Sequence, residues 1–392
     1  NSIKIVKLML KKIVLKFRMA AALISKGPDY SDFFTRNLYR IYLGHNKIIH
    51  FRDGFPVYSL STPALFSRAA ANFLQRNFFK TITGRTNHNL MSLAITEKCC
   101  ANCQHCSFQT EDLKQKQNPL KKEELIKLIK DAQELGVTVI NILGGEPLLH
   151  PDILEIIGAV NKNLSTVILI TNGMKLKAIA HNLKRVGLDG VYVSIDSADP
   201  DKHNRFRNTL GIFEAAMEGI KNAKRAGLSV GISCCVDPES LASGELEKIF
   251  ELGKKIGVHE ILVFGATPSG KYSSRSDLMD RNSFTDDLIA FAGKYNRRQD
   301  YPGILIYGYT SSHRSIGCSG GVNYFYVNPF GEVSPCDFNH AVFGNIREKP
   351  LHEILDIMAT AFEGHTKYGG CRLKDSRCIN SPYVSKNNFK KI

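Results

Sequence analysis

Cys99, Cys103 and Cys106 stand in a CxxxCxxC spacing just after a short apolar run at 93–96. Thiolates are soft, anionic donors that suit iron–sulfur clusters or zinc, and a [4Fe–4S] cube ordinarily takes four of them. Three would leave one iron open for a substrate or cofactor. The same triad, completed by His105 or a distant residue, would instead make a closed Cys3His zinc site. Four further cysteines, Cys318, Cys336, Cys371 and Cys378, lie toward the other end of the chain. Cys234 and Cys235 are adjacent in a strand-like run, so their side chains point to opposite faces and read as buried structural thiols. Cys100, between two of the first triad, reads as a bystander.

The elements that must position these residues alternate regularly after residue 90. Short β-branched runs occupy 93–96, 137–143, 166–171, 190–196, 228–236 and 260–264, with helical patterns at 120–135, 151–160, 175–187, 211–226 and 244–256 between them. Six strands in strict βα alternation imply a parallel sheet covered by helices, either a curved, partial (β/α)6 barrel of TIM type or a flat doubly wound sheet. The cysteine triad follows strand one, Gly144-Gly145-Glu146-Pro147 strand two, Thr171-Asn172-Gly173 ends strand three, and Ser194 and Asp196 end strand four. All fall at C-terminal strand ends, where a βα barrel collects its chemistry, which favours the barrel. Six strands also leave one side open, which suits a large substrate. From Tyr301 the alternation stops, giving way to strand-like stretches, a Pro-Phe-Gly turn and the second cysteine set, then a helical stretch at 350–363 and a basic tail at 380–392. The expected domains are 1–90, 91–300 and 301–392.

Hydrophobic residues make up 43% and charged residues 23% of the 392, as in ordinary globular proteins. Ten cysteines without a cleavable signal pattern argue against a secreted disulfide scaffold and for metal ligation in a reducing cytoplasm. Residues 1–90, with 15 Lys and Arg against 3 Asp and Glu, carry +12 of the net +15. The first 25 residues set Lys4, Lys7, Lys11 and Arg18 at helical spacing among Ile3, Val6, Leu10, Ile13, Val14 and Phe17. This basic amphipathic helix is suited to an anionic membrane surface, facing the cytoplasm. Its charges recur too often for a membrane span. No nucleic-acid motif accompanies the charge, so nucleic acid is not the expected partner. Helices at 30–43 and 63–80 flank a hairpin, 47–51 and 56–60, turned at Asp53-Gly54.

Taken in order, the CxxxCxxC triad, Gly-Gly-Glu-Pro, Thr-Asn-Gly and Ser194-Ile195-Asp196 make the chain similar to the radical S-adenosylmethionine superfamily over about residues 90–270. The resemblance selects a cluster over zinc. It implies that Cys99, Cys103 and Cys106 hold a [4Fe–4S] cluster whose open iron chelates S-adenosylmethionine. One electron, from a low-potential donor such as ferredoxin or flavodoxin, then yields a 5′-deoxyadenosyl radical. The cofactor carries the hard chemistry while the protein binds, aims and excludes water. In Gly144-Gly145-Glu146-Pro147 the glycines are expected to let backbone approach the ligand and Glu146 to pair with its ammonium. Thr171 and Ser194 resemble positions that contact ribose and the methionine carboxylate, and Asn172 and Asp196 either join them or serve as turn and cap residues. Arg207 resembles the family arginine that pairs with the carboxylate, its alternative being a solvated surface charge.

Residues 301–392 resemble the SPASM/Twitch extension, in which a Cys, a spacer and GxxxxC open the domain; here these are Cys318 and Gly331 through Cys336. The further CxxCxxxxxCxxxC of a full SPASM domain is missing, with only Cys371 and Cys378 in its place. One auxiliary [4Fe–4S] cluster on Cys318, Cys336, Cys371 and Cys378 is therefore expected. In sulfatase-maturing relatives an Asp beside an auxiliary-cluster Cys is the substrate's base, a role that falls here to Asp337.

The function these readings point to is hydrogen abstraction from an unactivated carbon. A lipid or other membrane-associated substrate is favoured by the N-terminal helix. A peptide is the alternative, since many SPASM enzymes modify peptides, yet 1–90 lacks the strand-first order of a leader-binding winged helix. A non-catalytic electron-transfer or zinc protein would need neither Glu146 nor an open iron.

Overall fold

The computed structural model describes residues 47–83, 87–108, 113, 115–278, 282–310, 318–362, 371 and 373. The basic helix at 1–25, the helix at 30–43, Cys378 and the C-terminal tail lie outside the described residues.

Asp53 and Gly54 both adopt left-handed backbone (φ 49° and 83°), and this two-residue turn joins β1 (His50–Arg52) to β2 (Phe55–Val57) as the Asp-Gly pair predicts. Helix α1 (Arg68–Thr83) follows, starting later than its sequence pattern suggested. The parallel strands then come in chain order: β3 (Leu90–Ala94), β4 (Val139–Leu143), β5 (Thr166–Thr171), β6 (Gly190–Ser194), β7 (Ser229–Val236) and β8 (Glu260–Gly265). Each pairs with the next. A doubly wound sheet would reverse its strand order at a switch point; this one never does, and the protein has the partial TIM-barrel fold.

Two features differ from the sequence reading. The alternation does not stop at Tyr301, because a helix at Asn282–Asn296 and β9 (Gly303–Ile306) add one more unit beside β8. The strand-like stretches after 301 also join this sheet: β10 (Tyr324–Val327) pairs parallel with β3, on the opposite edge. Antiparallel β11 (Glu332–Ser334) and β12 (Gly344–Asn345) complete a ten-stranded sheet.

Strand alternation sorts the side chains. Leu93, Ile142, Val167, Val191, Ile232 and Ile261 face the helices and pack with Leu125, Ile129, Leu183, Ile220 and Ile249, all essentially inaccessible. The other face carries Ser92, Asn141, Tyr192, Ser194, Ser233 and Cys235, so the concave side is polar enough to hold a site.

The segment after the hairpin closes the N-terminal end of the barrel. Leu60 is fully buried against Ile168, Tyr192 and Leu262. Its N–H donates to Glu260 Oε2 (2.8 Å), which also accepts from the Tyr192 hydroxyl. Arg52 reaches Thr166 (3.0 Å), Ser229 (3.3 Å) and Asp189 (3.4 Å). Glu260→Ala leaves buried donors unpaired and is expected to cost about 3 kcal/mol in urea unfolding; a change below about 1 kcal/mol would show that the plug is not held through Glu260.

Candidate active site

The cysteine loop leaves β3 at its C-terminal end and is clamped from two sides. On one side the Gly-Gly-Glu-Pro backbone donates directly to it: Gly145 N to Thr96 O (2.9 Å) and Glu146 N to Lys98 O (2.7 Å). Gly144 has φ 153°, and a Cβ there would lie 2.5 Å from Thr96 O; at Gly145 it would lie 2.3 Å from Lys98 O. Only glycine lets the two backbones meet this closely. Gly145→Ala is therefore expected to open the cysteine loop and to lower bound iron severalfold at unchanged helix content, checked by iron analysis and circular dichroism. Wild-type iron content would show that the contact is dispensable.

On the other side the loop meets the end of the helix Pro200–Phe206. Asn102 N donates to Arg207 O (3.2 Å) and Gln104 N to Phe206 O (3.0 Å), and the His105 ring stacks on Phe206 at 4.7 Å. Burial lowers the His105 pKa to about 4, so the ring is neutral. Lys271 closes the loop from a third direction, its N–H on Cys106 O (3.0 Å) and its ammonium on Cys103 O (2.8 Å).

Glu146 does not lie open toward a ligand. Its carboxylate is 1% exposed and accepts from the Thr171 hydroxyl (2.6 Å), Asn172 N (2.8 Å) and Leu148 N (3.1 Å). Burial pushes its pKa up to about 7, against the pull of these donors. Glu146 thus ties the ends of β4 and β5 together. Thr171 is buried in that tie and also accepts from Gly173 N (3.1 Å). Asn172 donates to Cys100 Sγ (3.3 Å), giving the bystander cysteine a place in the wall. Pro147 is buried at the start of the short helical turn Pro147–Leu149.

Asp196 and Arg207 are partners, which the sequence reading did not anticipate. Arg207 is 6% exposed, so it is not a solvated surface charge. Its Nε and Nη2 donate to Asp196 Oδ2 at 2.8 and 2.7 Å, and its Nη1 lies 3.7 Å from Cys103 Sγ. Burial alone would raise Asp196, yet Arg207, with His105 and His203, holds it at about 2. Ser194, two residues before Asp196, shares a hydrogen bond with Ser233 (3.3 Å).

Of the second cysteine set, Cys318, Cys336 and Cys371 are half-buried thiols in no disulfide, as are all three of the first triad. The hydroxyl of the partly buried Tyr307 feels Asp337 and these three sulfurs together, so they share one neighbourhood. Tyr324 hydrogen-bonds the Asp337 carboxylate, while Asp337 Oδ1 is buried with no hydrogen-bond partner among the described residues. Burial pushes this carboxyl up to about 6. Phe264, Tyr307 and Phe338 form a ring cluster here, with centroids 4.7 to 6.3 Å apart. Ser269 donates to Phe338 O (2.7 Å), one residue before Gly270, where a Cβ would lie 2.3 Å from Cys106 O. Residues 269–271 therefore touch both cysteine neighbourhoods. No motif marks them in the sequence, and a left-handed Gly270 (φ 56°) is their only local signal.

These residues fit an iron–sulfur cluster with an adjacent polar ligand. Three reduced thiols ride on one glycine-cradled loop, and a buried cation faces one of them. Among the described residues no three His, Cys, Asp or Glu side chains converge to hold a single metal ion. His105 packs on Phe206 rather than completing a Cys3His site. Residues 93–243 match the Radical SAM superfamily, and residues 318–378 match an iron–sulfur cluster-binding domain, SPASM. The chain belongs to the radical S-adenosylmethionine superfamily, and S-adenosylmethionine and iron–sulfur clusters are its cofactors. It is an enzyme.

Among its relatives is the AdoMet-dependent heme synthase of Methanosarcina barkeri, 30% identical over 289 residues, covering 68% of this chain and 82% of that protein. The GTP 3′,8-cyclase of Petrotoga mobilis is 32% identical over 311 residues, covering 76% and 92%. The fold is similar to that of Streptococcus suis SuiB bound to its precursor peptide SuiA, with a TM-score of 0.58 at 15% identity, covering 89% of this chain and 82% of that one. No helix among the described residues is long and apolar enough to cross a membrane.

Proposed function

We propose that this chain is a radical oxidoreductase that removes two hydrogens from its substrate, one as an atom and one as a proton. The observation that carries this reading is Asp337 Oδ1, buried without a partner among the described residues and sharing the surroundings of Tyr307 with Cys318, Cys336 and Cys371. When bound, the cofactors supply reductive cleavage of S-adenosylmethionine to a 5′-deoxyadenosyl radical, hydrogen abstraction from an unactivated carbon, and an acceptor for the electron the substrate radical sheds.

Cys99, Cys103 and Cys106 hold the first cluster, and Cys318, Cys336, Cys371 and Cys378 the auxiliary one. The Gly144-Gly145 backbone, with Glu146 and Pro147 behind it, shapes the edge on which S-adenosylmethionine rests. Ser194, from the concave face, and Thr171 and Asn172, through the strand-end tie, hold that edge in register. Asp337 takes the substrate proton, and Tyr324, bonded to its other oxygen, fixes the carboxylate's orientation. A group poised in this way contributes about 10² to 10⁴ in rate.

The aromatic rings of Phe264, Tyr307 and Phe338 beside Asp337 favour a small, largely apolar substrate. The basic residues 1–25 add a membrane-associated source to this, at an anionic surface on the cytoplasmic side. A relative named for heme synthesis fits that class, porphyrins being planar and largely apolar. The second reading is peptide modification, favoured by the likeness to SuiB with its precursor peptide. Ferredoxin or flavodoxin is the proposed electron donor.

The test incubates reduced, reconstituted enzyme and S-adenosylmethionine with fractions of deuterated cells. Deuterium entering 5′-deoxyadenosine from the lipid-soluble fraction is the expected result. Transfer from the peptide fraction alone would move the assignment to a maturase, and transfer from neither would reject both classes.

A further inference from the structure

Arg207 is held along one edge of its guanidinium. Two of its nitrogens are committed to Asp196 Oδ2, at 2.8 and 2.7 Å. Asp196 is itself fixed: its Oδ1 accepts from Cys235 N (3.0 Å) and its own N–H donates to His203 Nδ1 (3.1 Å). The planar fork is therefore locked in one orientation, and that orientation aims Nη1 at Cys103 Sγ, 3.7 Å away. Asp196 takes the Nε–H and one Nη2–H, which leaves Nη1 to meet Cys103 Sγ from a fixed guanidinium plane.

We infer that Arg207 is a positioning residue that donates an N–H···S hydrogen bond to the Cys103 thiolate and thereby raises the potential at which the first cluster accepts its electron. The inference rests on the reading of Cys99, Cys103 and Cys106 as cluster ligands. Hydrogen bonds to ligating sulfur, and positive charge near it, stabilise the more negative, reduced state of an iron–sulfur centre. Lysine cannot reproduce the arrangement, because a single ammonium has no rigid fork to reach Asp196 and Cys103 at once. Asp196 is the fixed point of the device, and the 11-residue gap between the partners is spanned by the turn of helix at Pro200–Phe206.

The test is a redox titration of the reconstituted holoenzyme followed by electron paramagnetic resonance, reading the signal that S-adenosylmethionine perturbs and measuring it without S-adenosylmethionine. Arg207→Gln and Arg207→Lys are both expected to shift the midpoint potential to more negative values with the cluster still loaded. An unchanged potential in both, together with weakened S-adenosylmethionine binding, would overturn the inference and return Arg207 to the role of carboxylate clamp. A parallel measurement needs no variant: wild-type enzyme grown on nitrogen-15 arginine is expected to show a nitrogen-15 coupling at the reduced cluster, and its absence overturns the inference even if the variants fail to load. Wild-type protein that never develops iron–sulfur absorption would instead reject the ligand reading itself.

Discussion

Cys103→Ala is expected to abolish formation of 5′-deoxyadenosine, down to the non-enzymatic background, while the chain keeps its helix content. The side chain removed is one of three soft donors, and alanine offers none, so the first cluster is left with two thiolates and no rigid seat. The surroundings predict that the loss is local. The loop around residue 103 is held by backbone contacts to Arg207 O, Phe206 O and Lys271, none of which needs the sulfur. Cys100→Ala is the natural comparison, since that sulfur accepts from Asn172 and touches Met174 but reads as no ligand. It keeps activity within about threefold, a loss of well under 1 kcal/mol in barrier. Equal loss in the two variants, measured by liquid chromatography of the reduced reaction, would overturn the ligand assignment.

Asp337→Asn is expected to separate cofactor cleavage from substrate oxidation. The carboxamide keeps the shape and the contact with Tyr324 but cannot take a proton, so product formation falls by about 10² to 10⁴, the range of a lost general base. Cleavage of S-adenosylmethionine is expected to persist, because the Asp337 carboxyl hydrogen-bonds Tyr324 and touches none of the contacts that clamp the first loop. The expected readout is abundant 5′-deoxyadenosine with little dehydrogenated product. Parallel loss of both would make Asp337 a structural carboxyl, and wild-type product yield would remove it from the mechanism.

Much of the barrel is legible in the sequence because its strands are buried on both faces and read as compact β-branched runs between amphipathic stretches. The short β9, Gly303–Ile306, is not legible: four residues carry too little periodicity to separate them from the irregular chain around them. The parallel pairing of β10 with β3 joins residues more than two hundred positions apart, which no local pattern encodes. The site divides in the same way. Spacing marks the cysteine triad and Gly-Gly-Glu-Pro, since both are local. It does not show that the Glu146 carboxylate turns inward to Thr171 and Asn172, nor that Asp196 and Arg207 meet. Those facts depend on which way each side chain leaves its strand end, and that is set by neighbours from other strands.

The measurement closest to the central claim is anaerobic reconstitution of the wild-type chain with iron and sulfide, followed by reduction in the presence of S-adenosylmethionine. Iron–sulfur absorption and accumulation of 5′-deoxyadenosine and methionine are the predicted result, with both lost in the Cys99, Cys103 and Cys106 variants. A reconstituted wild-type protein that binds iron yet leaves S-adenosylmethionine intact after reduction would contradict the account.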